Sequence, residues 1–312
     1  MNTSFHDIPT PTQAASDAAG SDRLSHQPVS EPSRRSAIGG RSLVRSLSDS
    51  GFGARYLAAD TRRATDCMVW CFDRVPNDQS PAVWAYLKKA VGERRSHVLP
   101  IEAAGRERGG VCWAATPFVG NHDGVVTLES LRIGRGGAMT VFETARALEQ
   151  LLDATARSHA AGIVHGTIDP ETVLVTPRGT LEIAMYGLAS ALEGRRDDDD
   201  ERRAEVRSIA SIGWRLLTGL PGETPAEDLP QARAGAALRS WIRRAADPVE
   251  GFESADAARR ALPATDAGTG ESRLVAARSL LGKLGAVVAK TANTEAKRKN
   301  TTSAGVGIPG DR

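Results

Sequence analysis

The hydrophobic period changes along this chain, from about two residues to about four, and the change limits what it can build. Arg55-Tyr56-Leu57-Ala58-Ala59 and Cys67-Met68-Val69-Trp70-Cys71-Phe72 are short apolar or alternating runs, which predict strands. The polar Asp60-Thr61-Arg62-Arg63 between them predicts a hairpin or meander. A helix is expected over 81–91, and further strands over Val98–Ile101 and Gly110–Phe118. Beyond Gly120 the period lengthens: Val141, Phe142, Ala145, Leu148, Leu151, Leu152 and Thr155 recur at three and four residues and form one apolar stripe. Helices are also expected over 205–217 and 236–246. Strands first and helices later predict an α+β chain, with a small sheet-rich part and a larger helical part.

Both ends lack the residues for a core. Residues 1–41 are Ser, Pro, Ala, Asp and Gly with hardly any large apolar side chain, too little burial to offset the entropy of ordering, so a disordered tail is expected there. A similar composition returns over 264–312 as a second flexible tail, leaving 42–263 as the folding span. Over the 312 residues 40 Lys+Arg oppose 38 Asp+Glu, a net charge of +2, which argues against nucleic acid as a partner. Three cysteines, at 67, 71 and 112, supply neither a disulfide framework nor a four-cysteine zinc site; they read as buried thiols in a reducing cytoplasm. The first 22 residues have neither the basic start nor the apolar run of a secretory signal. No stretch approaches the length of a spanning helix, so a cytoplasmic location is expected.

One segment carries more information than the rest. His165-Gly166-Thr167-Ile168-Asp169-Pro170-Glu171-Thr172 leads into Val173-Leu174-Val175, a Thr176-Pro177-Arg178-Gly179-Thr180 turn, and Leu181-Glu182-Ile183-Ala184-Met185-Tyr186-Gly187. This loop, strand, turn and strand resembles the catalytic loop, hairpin and metal-binding turn of the eukaryotic-like Ser/Thr protein kinases, written His-Arg-Asp-Leu-Lys-Pro-Glu-Asn and Asp-Phe-Gly. The approach His159-Ala160-Ala161-Gly162-Ile163-Val164 is similar to that of bacterial members. The resemblance extends in register: Leu47 to Ala58 looks like the glycine-rich loop, Cys67-Met68-Val69-Trp70 like the Val-Ala-Val-Lys strand, and His97 and Ile101 like the entry to the next strand. Pro117-Phe118-Val119-Gly120 looks like the hinge. Glu205-Val206-Arg207-Ser208 with Leu216-Leu217-Thr218-Gly219 looks like the large-lobe helix. It implies a two-lobed protein-kinase-like fold, with a sheet-rich lobe over about 42–118 and a helical lobe over about 121–263.

The same resemblance implies that the chemistry is degenerate. Kinase catalysis is positioning plus neutralisation of phosphoryl charge. At the catalytic loop the Asp that accepts the substrate proton is Thr167, its neighbouring Lys is Asp169, and the magnesium-binding Asn is Thr172. The Asp of Asp-Phe-Gly is Met185, a thioether where a hard oxygen is needed. The phosphate-pairing lysine is Trp70, and its helix partner, normally Glu, falls on Lys88. In the glycine-rich loop Ser48 and Ser50 replace glycines; Gly51 and Gly53 remain nearby, and only Gly53 belongs to the consensus set. Arg55 stands where a valine roofs the adenine, projecting into the nucleotide pocket or turning to solvent. No catalytic position is intact and no metal site is implied, so no cofactor is expected, with ATP held without magnesium as the variant of that reading. Trp70 and Met185 suit a role as hydrophobic plugs.

Only 17 residues separate Gly187 from Glu205, with no Ala-Pro-Glu after them. Asp197-Asp198-Asp199-Asp200-Glu201 there reads as a solvated loop or as a weak contact for a cation or basic partner. Near the end, Leu274, Ala277, Leu281, Leu284 and Val288 share a helical face within 272–290, among cations that continue through Lys299. This basic amphipathic segment, 272–299, suits an anionic membrane surface, a partner groove or its own domain. The expected function is a pseudokinase acting as a scaffold or allosteric regulator through protein partners. The alternative is a divergent Ser/Thr kinase that still binds ATP and transfers phosphate.

Overall fold

The computed structural model describes residues 36–47, 49–61, 64–121, 124–221 and 235–264. Its first lobe is a six-stranded antiparallel sheet in the order β1-β2-β3-β4-β6-β5. The strands are β1 (Ala37–Ile38), β2 (Arg41–Ser46), β3 (Arg55–Asp60), β4 (Thr65–Cys71), β5 (Ala103–Arg106) and β6 (Cys112–Pro117), with helix α1 (Ser80–Ala90) between β4 and β5. The alternation read in the sequence along β4 becomes two buried faces, as period-two geometry requires. Cys67, Val69 and Cys71 pack with Ile38, Ala58 and Trp113 on one side. Met68 and Trp70, with the adjacent Phe72, share the other side with Val83 and Leu87 of α1. All three cysteines are free and buried.

The second lobe begins with β7 (Val126–Thr127) and α2 (Leu128–Gly134), then α3 (Val141–Ala160), the hairpin β8 (Val173–Val175) and β9 (Leu181–Ile183), and the short α4 (Leu188–Glu193). α5 (Asp199–Thr218), α6 (Ala236–Ala246) and α7 (Ala255–Arg260) complete it. β7, β8 and β9 form a small antiparallel sheet. α3 starts in a capping box, Thr140 accepting from the Glu143 N–H while the Glu143 side chain accepts from Thr140. Its apolar stripe buries Leu148, Leu151 and Leu152 in the lobe's main cluster with Ile209, Ile212 and Trp214 of α5. Close approach of α3 and α5 depends on Gly213, where a Cβ would stand 2.8 Å from Leu148 Cδ2. Among the described residues no helix is long and apolar enough to cross a membrane.

Three expectations are corrected. Residues 37–41, assigned to the first tail, form β1, a Gly39-Gly40 turn and the start of β2, because Ile38 has a core to enter. Val98–Ile101 is no strand of the six-stranded sheet: Leu99 N–H donates to Ile183 O at 3.0 Å and Ile183 N–H to His97 O at 2.9 Å. That stretch ties β9 to the first lobe, and the strand comes later, at β5. The acidic run at 197–201 belongs largely to α5, which starts six residues before the expected Glu205. α2, α4 and α7 were not foreseen. The segment 272–299, most of both expected tails, and Ser48 lie outside the described residues.

Candidate functional site

The cleft lies where the β2–β3 loop, β4 and the residues after β9 converge. Ser50 and Gly53 close that loop on each other, Ser50 N–H donating to Gly53 O at 2.9 Å and Gly53 N–H to Ser50 O at 3.1 Å. Gly53 sits at φ 145°, and a Cβ there would lie 2.0 Å from the Cys71 carbonyl oxygen, so only glycine fits. Gly51 has nothing near its Cβ position. Asp49 pairs with Arg74, and its carbonyl accepts from Arg55 Nη2 at 3.2 Å. Two amides that would be free to meet phosphate are thus used within the loop.

Trp70 and Arg55 are buried beside this loop. They are opposed in the β3–β4 register, and the guanidinium lies 5.2 Å from the indole centroid, a cation–π stack. Trp70 Nε1–H donates to Thr116 Oγ1, immediately before the hinge, at 3.2 Å. Trp70 is 2% exposed, Arg55 3% and Met185 1%. Burial pulls the Arg55 pKa down, opposed by the charges of Glu171 and Asp49. Of the two orientations open to Arg55 in the sequence, it takes the inward one. Met185 has φ 53°, a left-handed conformation uncommon for a non-glycine residue. Its side chain joins Trp70, Leu47, Leu174 and Ala184 in one buried cluster drawn from both lobes.

Lys88 requires correction. It is exposed on α1, its ammonium 5.9 Å from the Trp84 ring centroid, while the neighbouring Leu87 turns into the cluster with Met185. The position facing the cleft is apolar rather than of reversed charge, because the helix phase puts Val83 and Leu87 inward.

The loop after α3 is held from below by α5. Glu205, fully buried, accepts from His159 Nε2 at 2.9 Å, from the Tyr186 hydroxyl at 2.7 Å, from Gly166 N–H at 2.9 Å and from His165 N–H. A buried carboxylate with four donors is well compensated. Ser208 adds a bond from Ile168 N–H at 3.1 Å. His165 packs 4.8 Å from the Tyr186 ring, and its Nδ1 accepts from Gly187 N–H at 3.0 Å. Burial lowers its pKa to about 4, so it is neutral near pH 7. Burial and the Glu205 charge raise that of Tyr186 well above 10. Gly187, at φ 92°, starts α4 and brings its Cβ position within 2.9 Å of Ile163.

The remaining loop groups are committed locally or idle. Thr167 is exposed, and its hydroxyl is no base near neutral pH. Asp169 Oδ1 accepts from Glu171 N–H at 2.9 Å, and its carbonyl accepts from Thr172 Oγ1 at 2.7 Å, a self-contained turn. A magnesium nucleotide needs hard oxygen ligands and phosphate donors, and these residues do not fit one. Met185 buries a thioether, Thr172 donates its hydroxyl to Asp169, and Trp70 and Arg55 are buried against each other, offering no lysine for a phosphate. Among the described residues no group of three His, Cys, Asp or Glu side chains converges. The acidic run is equally committed: Asp198 caps α5 by accepting from Glu201 N–H at 2.9 Å, and Asp197 takes Arg202 in two bonds of 2.6 Å.

Glu205, Tyr186, Tyr86 and Thr116 were not singled out as site residues in the sequence. A carboxylate heading the apolar positions Val206, Ile209, Ala210 and Ile212 was the available signal for Glu205. Nothing in the sequence pointed to Tyr86, whose hydroxyl donates to Tyr186 O at 3.1 Å.

No protein-family model matches the chain. The probable serine/threonine-protein kinase pknA2 of Bifidobacterium longum is 29% identical over 103 residues, 27% of this chain and 14% of the relative. Serine/threonine-protein kinase PknL of Mycobacterium tuberculosis is 29% identical over 113 residues, 30% of this chain and 28% of the relative. The matched part thus spans under a third of either relative's length. The crystal structure of the Mycobacterium tuberculosis PknI kinase domain superimposes with a TM-score of 0.58 at 19% identity, covering 72% of this chain and 96% of that one. The expected two lobes, meeting at Pro117–Gly120, are therefore those of the protein kinase fold, and over about 30% of its length the chain is similar in sequence to bacterial Ser/Thr protein kinases.

Proposed function

We propose that this protein is a pseudokinase, a kinase-like scaffold or allosteric regulator that works through protein contacts rather than phosphoryl transfer. The observation that carries the reading is the burial of Trp70, Arg55 and Met185, with Trp70 bonded to Thr116 and stacked against Arg55. Each lost group has a separate duty in catalysis, and losing one such group alone costs orders of magnitude in rate. A relocated base finds no support either, since the Asp169 carboxylate is tied to Glu171 N–H. The substrate platform is also reduced, with only the six-residue α4 and a short turn between Gly187 and α5. In this reading protein contacts fall to the large lobe and the flanking segments, and 272–299 addresses an anionic membrane surface from the cytoplasm.

Thermal-shift titration of the full chain with ATP, with and without Mg²⁺, tests it. A ligand at 100 times its Kd stabilises the native state by about 2.7 kcal/mol, several degrees for a domain of this size. The expected result is no shift. A metal-independent shift would leave the inactive assignment standing and make nucleotide a structural ligand. A Mg²⁺-dependent shift with radiolabel transfer to a protein substrate would overturn the proposal.

A further inference from the structure

A cavity of about 530 Å³ opens between α1, the 161–164 turn and α4. It is separate from the cleft: Trp70, Arg55 and Met185 do not line it. Its size falls within the range of roughly 300–1,000 Å³ typical of small-molecule sites, which combine apolar walls with a few convergent polar groups. Ala82, Ala85, Ala161 and Ala191 give it apolar walls, and small side chains on both helices keep it open.

The charges around it do not cancel. Asp197 is satisfied by Arg202, and Arg195 by Glu193 and Glu201. Arg95 is different. Half-buried, it donates to Ser158 Oγ at 3.3 Å and lies 5.8 Å from the Tyr186 ring centroid, without an ion pair among the described residues. Lys89, an exposed residue of α1 that also lines the cavity, has no ion pair among them either. Glu93 is the one lining carboxylate left without a cation in the same set. A guanidinium without a counter-charge beside an apolar cavity favours an anion, because a hydrogen bond to a charged group strengthens as water is excluded.

We propose that this cavity binds an organic anion with an apolar body of ligand size, the body against the alanines and the anionic group at Arg95 and Lys89. Such a ligand would also touch Tyr86 and Tyr186, the pair that links α1 to the Glu205 anchor of α5. The site does not depend on whether the nucleotide cleft is functional.

The test is a fluorescence titration of the full chain with 1-anilinonaphthalene-8-sulfonate, beside its neutral analogue N-phenyl-1-naphthylamine. Saturable binding of one sulfonate per chain is expected, with the neutral compound about tenfold weaker, the scale of one charged hydrogen bond. Arg95→Gln and Lys89→Gln should each weaken the sulfonate by about as much and leave the neutral compound unchanged. Ala82→Trp and Ala191→Trp, which fill the cavity from opposite walls, should abolish binding of both while the cooperative melt persists; either variant suffices if the other fails to fold. Equal affinity for the two compounds, unchanged binding in the filled variants, or no saturation below ~1 mM would each overturn the proposal.

Discussion

Tryptophan at position 70 makes a bond and fills a volume that lysine could not. Its indole N–H reaches Thr116, and its ring stacks with Arg55. Trp70→Ala would leave a cavity and remove the indole's bond to Thr116, so a loss of about 3–5 kcal/mol is expected by chemical denaturation. Its identity was legible from register with a known strand, whereas its direction depended on Arg55, whose inward turn only the structure fixed. Lys88 failed for a related reason: one residue of helix phase separates it from Leu87, and counting along the chain does not resolve a 100° rotation. His165 carries a pH signature. Its pKa falls from 6.5 to about 4 on burial, so between those values the unfolded chain binds more protons than the native one. Stability should therefore be lost as pH falls from 6.5 towards 4, by about 3 kcal/mol from this group. Denaturation midpoints from pH 7.5 to 4.5 check this, and His165→Asn, which keeps an acceptor for Gly187 N–H, should flatten that part of the profile.

Elements with an uninterrupted period were the readable ones. α6 appears at the expected 236–246 and β3, β4 and the β8–β9 hairpin fall where alternation placed them, because their core faces were written in local sequence. α5 was read too short because charge was taken as a sign of loop. Asp198 caps it, Asp199, Asp200 and Glu201 sit in its first turn, and acids there are favoured by the helix dipole. The run is a helix start, which removes the case for a cation site. Asp198→Ala should cost about 1 kcal/mol, read as a lower melting temperature, while Asp200→Asn, a change of charge without loss of the cap, should cost a few tenths. The 97–101 stretch was misread because the bridge partner of Val98, Ile183, lies 85 positions away in β9, and long-range pairing leaves no local periodic trace.

The whole molecule has the architecture of a protein kinase, with an apolar interior between its lobes. The anchor survives where it is structural: Glu205 still holds the loop through two backbone N–H groups and gains the Tyr186 hydroxyl and His159. Between the lobes one buried apolar cluster takes Leu47 and Trp70 from the first and Leu174 and Met185 from the second. The order of motifs made the fold legible, but the closure was not, since it is a property of side chains from four separated segments. Restoring one of them should therefore fail. Trp70→Lys would place an ammonium against Leu87 and Met185 with no carboxylate from α1 to meet it, and a cation buried unpaired costs several kcal/mol. The variant should melt at lower temperature, transfer no radiolabel from ATP and show no Mg²⁺-dependent thermal shift. Adding Met185→Asp would supply one hard ligand, yet Thr172 and Thr167 would still lack the second ligand and the base, so the double variant should also transfer nothing. Measurable transfer in either variant would mean that the large lobe retains a working catalytic loop.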